Sequence, residues 1–220
     1  MSTSTAHRTT TPVQSSNRLA GACFVLGGVA FFTGGAMHPT DSGTGSKVAQ
    51  LHEMLVDDKW YPSHALLLVA MVSFAVAVLS IRRRGDLTGA MAAVTRVASV
   101  IAVFAAVGMA VHLFSALGAD GIADGQQTLV SRVAALNEML VAAPWALSIA
   151  ALAVVGGLTR SLGNPVTLAL GLVGGLAHAL AAATIAYTDR FDGLFPVGSL
   201  IGVWALIVGL MTLVRREVDR

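Results

Sequence analysis

Apolar residues fall along the chain in six long blocks, over about 19–37, 60–81, 91–117, 144–158, 165–187 and 194–214, parted by short polar stretches. Most of these blocks hold about 20 residues, the length an α-helix needs to cross a hydrocarbon core of about 30 Å. The pattern predicts an all-α, polytopic membrane protein of six transmembrane helices. They are expected as three hairpins, over about 19–84, 90–160 and 165–216. Two amphipathic stretches interrupt the blocks, 48–56 and about 128–141, and predict two short external helices. In the first, Val48, Leu51, His52, Leu55 and Val56 share a face at i, i+3, i+4 spacing.

The two amphipathic stretches belong to a longer similarity. Aligning residues 48–69 with 133–154 gives 12 identities in 22 positions, at an offset of 85. A duplicated hairpin accounts for this, and Phe195-Pro196 marks a third, divergent copy as Tyr61-Pro62 marks the first. Within the copies Glu53 matches Glu138, Trp60 matches Trp145 and Ser63 matches Ser148. His52 and His64 are replaced by Asn137 and Ile149, so a site built on them would be asymmetric.

Composition sharpens the membrane assignment. Charged residues make up 12% of 220, hydrophobic residues 55%, and mean hydropathy is +0.74. A soluble domain carries about twice that charge. The pI of 9.1 comes with a net charge of only +2, and the basic residues have a topological explanation, so no nucleic-acid partner is inferred. Ten of the 14 Lys and Arg lie on one side of the expected topology (Arg8, Arg18, Arg82, Arg83, Arg84, Arg96, Arg160, Arg215, Arg216, Arg220). The positive-inside rule then puts both termini in the cytoplasm and the protein in the cell membrane. Residues 1–17, rich in Ser and Thr and lacking acids, read as a disordered cytoplasmic tail ahead of a membrane domain over 18–220. Trp60, Tyr61, Trp145 and Tyr187 fall at external span ends, where amphipathic aromatics anchor in headgroups. Paired glycines at 27–28, 34–35, 156–157 and 174–175 predict close helix packing, and glycine-rich faces leave an oligomer open. Cys23, the single cysteine, reads as a small packed residue.

Candidate chemistry is confined to the outer half of the expected topology. An ionisable side chain within a membrane is costly enough to mark function. His64 lies one turn into the second span, and His112 near the outer end of the third. His178 lies about 13 Å below the outer surface, while His38 ends the first span at that surface. His64, His112 and His178, from three helices, could line one pocket. Imidazoles there would serve as metal or haem ligands, as acid–base groups with a carboxylate partner, or as hydrogen-bonding groups between helices. Glu53 and Glu138 stand at the rim as proton donors. The candidate catalytic set is Glu53, Glu138, His178 and His64, with His64, His112 and His178 as the candidate metal set.

The runs His38-Pro39, Trp60-Tyr61-Pro62-Ser63-His64-Ala65-Leu66-Leu67-Leu68 and Leu194-Phe195-Pro196 resemble a set of small six-span membrane proteins of high-GC bacteria. No activity attaches to that set, so the resemblance implies the six-span layout alone. In size and in its membrane carboxylates the chain is also similar in layout to the integral-membrane terpene cyclases, with no motif matched. That likeness implies protonation of a polyene by a membrane carboxylate, a lyase or isomerase reaction. The sequence therefore supports acid–base or metal-assisted conversion, or binding, of a lipophilic small molecule. A small-molecule or ion transporter, and a non-catalytic accessory membrane subunit, remain as alternatives.

Overall fold

A computed structural model describes residues 12–214, with side chains from residue 17. Of the tail expected to be disordered over 1–17, residues 1–11 lie outside the described residues, as do Arg215, Arg216 and Arg220, whereas 12–17 are helical and open the first helix. Among the described residues the chain forms helices and turns and no strand. Helices α1 (Pro12–Met37), α3 (Trp60–Arg82), α4 (Gly89–Leu113), α6 (Ala143–Leu158), α7 (Pro165–Thr184) and α9 (Leu200–Val214) form the bundle. The short helices are α2 (Lys47–Leu55), α5 (Leu129–Asn137) and α8 (Phe195–Gly198). Six helical runs are long and apolar enough to cross a membrane, as the blocks predict.

The six long helices close a ring in chain order. Each packs on the next, and α9 returns to pack on α1. The broadest contacts join α1 to α3, α6 to α7 and α1 to α9, so packing between the expected hairpins is as broad as packing within them. Its middle is aromatic. Phe24 meets Phe74 and Trp204 edge-on at centroid separations of 6.2 and 5.5 Å, and Phe31 and Phe74 both meet Trp145 at 5.5 Å. Aromatic edges and faces of opposite partial charge favour these tilted arrangements.

The seam between α1 and α9 depends on an absence of side chains. Gly21 and Gly28 lie seven residues apart on α1, and Gly202 and Gly209 seven apart on α9. A Cβ built on Gly28 would stand 2.7 Å from the Gly202 carbonyl oxygen, and one on Gly209 would stand 2.7 Å from that of Gly21. The two helices therefore run antiparallel and meet backbone to backbone, the approach that small residues permit in membranes.

Several boundaries differ from expectation. Residues 118–122, read as loop, continue α4 as a 3-10 turn over Phe114–Ile122. Ile122 and Ala119 are buried there against Val48, Leu55 and Trp60, so α2 lays its apolar stripe on this turn and roofs one end of the bundle. Residues 129–158, expected as two elements, are one continuous helical run. Glu138–Ala142 form a π turn within it, where the Ala143 N–H bonds the Glu138 carbonyl. Pro144 explains the widened turn, since it brings no N–H and crowds the carbonyl four residues back. A one-turn shift to the i−5 pattern relieves both and keeps the helix unbroken.

Two aromatic assignments are corrected. Trp60 and Trp145, expected at the headgroups, are each 1% exposed. Tyr61 and Tyr187, at 45% and 73%, are exposed as interfacial anchors would be. Position along a helix gives depth and not the face, and Trp145 points into the core of the ring while Trp60 points into the cluster under α2.

Candidate functional site

Three histidines and a tryptophan meet beneath α2. His64, fully buried on the second turn of α3, stacks on Trp60 at a ring-centroid distance of 3.7 Å. Its ring lies 4.8 Å from that of His38 and 5.0 Å from that of His112. The His112 ring, near the end of α4, is also 5.2 Å from that of Trp60. Trp60 ties the group together, because its indole N–H donates to the Leu113 carbonyl at 3.0 Å and so holds the end of α4 against the start of α3.

Backbone carbonyls set the tautomers. A carbonyl oxygen only accepts, so the 2.7 Å contact between His64 Nδ1 and the Trp60 carbonyl puts a proton on Nδ1. The same holds for His38 Nδ1 and the Pro39 carbonyl at 2.8 Å. Neutral His64 and His38 thus present Nε2 as a lone pair. His64 Nε2 is buried with no hydrogen-bond partner, and so is His112 Nδ1. Unsatisfied buried polar atoms are uncommon and mark a strained or functional place.

Glu138 completes the group. Its carboxylate Oε1 lies 3.7 Å from His112 Nε2, with side-chain exposures of 17% and 9%. That separation exceeds a hydrogen bond, but a small side-chain movement would close it. The π turn starts at Glu138, and π turns recur at functional sites because they re-aim side chains. Gly108 lets α4 come this close. A Cβ there would stand 2.4 Å from the Asn137 Oδ1 and 2.7 Å from a Val141 methyl.

The sequence-based candidates divide. His64, His112 and Glu138 come together as expected. His178 does not join them. Its ring lies 5.7 Å from Phe31, 5.9 Å from Trp145 and 5.5 Å from Phe195, with no ring contact to another histidine. Among the described residues His64 and His112 are thus in ring contact and His178 is not in ring contact with either, though it lies within electrostatic range of His38. Among the described residues no three His, Cys, Asp or Glu side chains are arranged to hold a metal ion. Glu53 is exposed and accepts hydrogen bonds from the Ser42 N–H at 2.7 Å and the Ser42 hydroxyl at 3.0 Å. It fastens the 39–46 loop to α2. The aligned residues Glu53 and Glu138 thus sit in unlike surroundings.

His38 is the member that sequence reasoning placed elsewhere, at the outer surface. The signal was present in His38-Pro39, where the helix stops and frees a carbonyl for the ring. Lying just past the end of its span, His38 titrates below the ordinary histidine value. Burial holds it down, opposed by its bond to the Pro39 carbonyl. The unfolded chain therefore binds this proton first as pH falls. The associated stability is present above pH 6.5 and is lost as pH falls toward the lowered folded value. We expect the unfolding temperature in detergent to fall below pH 6.5 and His38→Gln to flatten that slope. An unchanged slope would place the sensitivity elsewhere.

A second electrostatic tie joins distant segments at this end. The Lys47 ammonium, at the start of α2, pairs with Asp189 and lies 3.6 Å from Asp192. Hydrogen bonding and charge from Lys47 hold the Asp189 carboxyl below its usual range. Both groups are accessible, so the tie orients the roof more than it stabilises the fold.

Comparison with protein-family models, with curated proteins and with solved structures found no match to this chain.

Proposed function

We propose that His38, His64, His112 and Glu138 form an acid–base site in a multi-pass cell-membrane protein, acting on a lipophilic molecule. On the positive-inside orientation, with both termini cytoplasmic, the site lies in the outer half of the bilayer under the α2 roof. The supporting observation is the pair of buried, unpartnered imidazole nitrogens, His64 Nε2 and His112 Nδ1, beside a carboxylate at 3.7 Å. A carboxyl and an imidazole at this range can pass a proton between them once the gap closes. The tautomers fixed by Trp60 and Pro39 leave acceptors facing the group. A general acid of this kind contributes about 10²–10⁴-fold in rate. On the hairpin reading, the first unit supplies His38 and His64 and the second supplies His112 and Glu138.

The test compares source cells carrying the wild-type gene or Glu138→Gln, His112→Gln or Glu53→Gln at the chromosomal locus. Lipophilic extracts are profiled by mass spectrometry. A product present in the wild type and Glu53→Gln, and at least about 100-fold reduced in the other two, is expected. Identical profiles for wild type and Glu138→Gln would overturn the assignment.

Metal coordination by no more than two of these imidazoles is a second reading, favoured by the Nδ1–H bonds of His38 and His64 to backbone carbonyls. Metal-ligating imidazoles usually donate their other N–H in this way. Stoichiometric metal in the purified protein, lost in His64→Ala, would establish it. A metal-free protein that still yields the product would remove it.

A further inference from the structure

The opposite end of the bundle holds a cavity of about 270 Å³ lined by Arg82, Arg84, Leu87, Ala92, Thr95 and Arg96. The positive-inside rule explains why arginines collect at this end. It does not explain why three of them converge on one cavity while their neighbour Arg83 is left out.

Two of the three guanidinium groups are held in place. Arg82 Nη1 donates at 3.0 Å to the hydroxyl of the buried Ser99, which in turn donates to the Arg96 carbonyl at 2.8 Å. Arg84 forks onto Asp86, with Nε to Oδ1 at 3.0 Å and Nη2 to Oδ2 at 2.6 Å. The Arg84 guanidinium holds the Asp86 carboxyl below its usual range. The Arg96 side chain makes no hydrogen bond or ion pair with a described residue. Three positive groups therefore face one carboxylate. The positive end of α4 adds to them, for Ala92 lies in its first turns and that helix opens with no acidic residue and no side-chain cap. Arg82, Arg84 and Arg96 make the lining basic, Leu87 and Ala92 give it an apolar wall, and it sits where the spans end.

We propose that this pocket holds the phosphate of an anionic lipid headgroup. Planar, bidentate arginine donors suit a phosphate oxygen pair, and basic pockets between spans at this level of a membrane recognise such headgroups. Arg96 and the free edge of Arg82 carry the phosphate. Asp86 keeps Arg84 oriented, and the apolar wall receives the first carbons of the acyl chains. A soluble phosphate ester would satisfy the same donors, so the test separates the two sources.

The protein is reconstituted in nanodiscs of equal phosphatidylglycerol and phosphatidylcholine, extracted gently, and weighed intact by mass spectrometry. Retained phosphatidylglycerol is expected on the wild type. The double variant Arg82→Gln/Arg96→Gln should lose it by roughly tenfold or more. Arg96→Gln alone, which breaks no hydrogen bond or ion pair with a described residue, should lose a smaller share with the fold intact. Arg18→Gln/Arg83→Gln removes the same charge from the same end outside the cavity and should retain the lipid. Equal loss in this control would show diffuse attraction and overturn the site. So would equal retention of the two lipids by the wild type. Inorganic phosphate that raises the unfolding temperature in phosphatidylcholine discs, with no phosphatidylglycerol retained, would assign the pocket to a soluble anion and overturn the lipid.

Discussion

Trp60→Ala should destabilise the protein by about 3–5 kcal/mol, the range for removing a large side chain from a packed interior. Trp60 is 1% exposed. Its ring fills the space among Val48, Leu55, Ala119 and Ile122, stacks on His64, and sends its N–H to Leu113 at 3.0 Å. In a membrane, apolar surface gains little from leaving lipid, so the loss is one of packing and of the hydrogen bond. Trp60→Phe separates these two parts. It keeps most of the volume, withdraws the donor from the Leu113 carbonyl, and should cost about 1–3 kcal/mol. SDS-induced unfolding in mixed micelles measures both. A cost under about 1 kcal/mol for the alanine variant, what an exchangeable headgroup anchor would show, would refute the buried role.

Gly28→Val should cost about 3 kcal/mol and loosen the seam between α1 and α9. A side chain there meets the Gly202 carbonyl oxygen at 2.7 Å and the Leu206 Cγ at 2.9 Å. Neither yields cheaply, the first being backbone and the second the branch point of a packed leucine. Overpacking of this kind typically costs about 1–3 kcal/mol, and more where backbone must shift. Gly35→Val on the same helix is the control, since nothing lies within 4 Å of a Cβ at Gly35. The two variants should differ by most of the expected effect in the same unfolding assay. Equal costs would mean that helix propensity, and not the seam, sets the penalty.

How far the site was legible depends on which physical rule each residue obeys. His64, His112 and Glu138 stood out because ionisable groups in apolar blocks need a reason to be there, and they do converge. His178 obeyed the same rule but is housed among Phe31, Trp145 and Phe195. Hydropathy reports depth and not the direction in which a side chain points. Trp60 and Trp145 were misplaced for the same reason. His38 fell at a span end, where hydropathy is silent. The two aligned copies also show how few residues decide local form. In the first, the Asp57 carboxylate accepts from the Lys59 N–H at 2.7 Å and turns the chain ahead of α3. In the second, Ala142, Ala143 and Pro144 offer no such acceptor, and the helix runs on through a π turn. The glycine seam was only half visible. Gly28 stood in a conspicuous pair, whereas Gly21, Gly202 and Gly209 are single glycines whose meaning comes from the helix opposite.

The closed ring also has a consequence for synthesis. A chain leaves the ribosome from its N-terminus, so α1 is made first and α9 last. The face of α1 bearing Gly21 and Gly28 has no partner from α9 until about 180 residues have followed. Until then lipid or an insertion factor must occupy it. Of these six helices the earliest made is thus enclosed only when the latest arrives, and a chain released before α9 would leave that glycine face open to other helices.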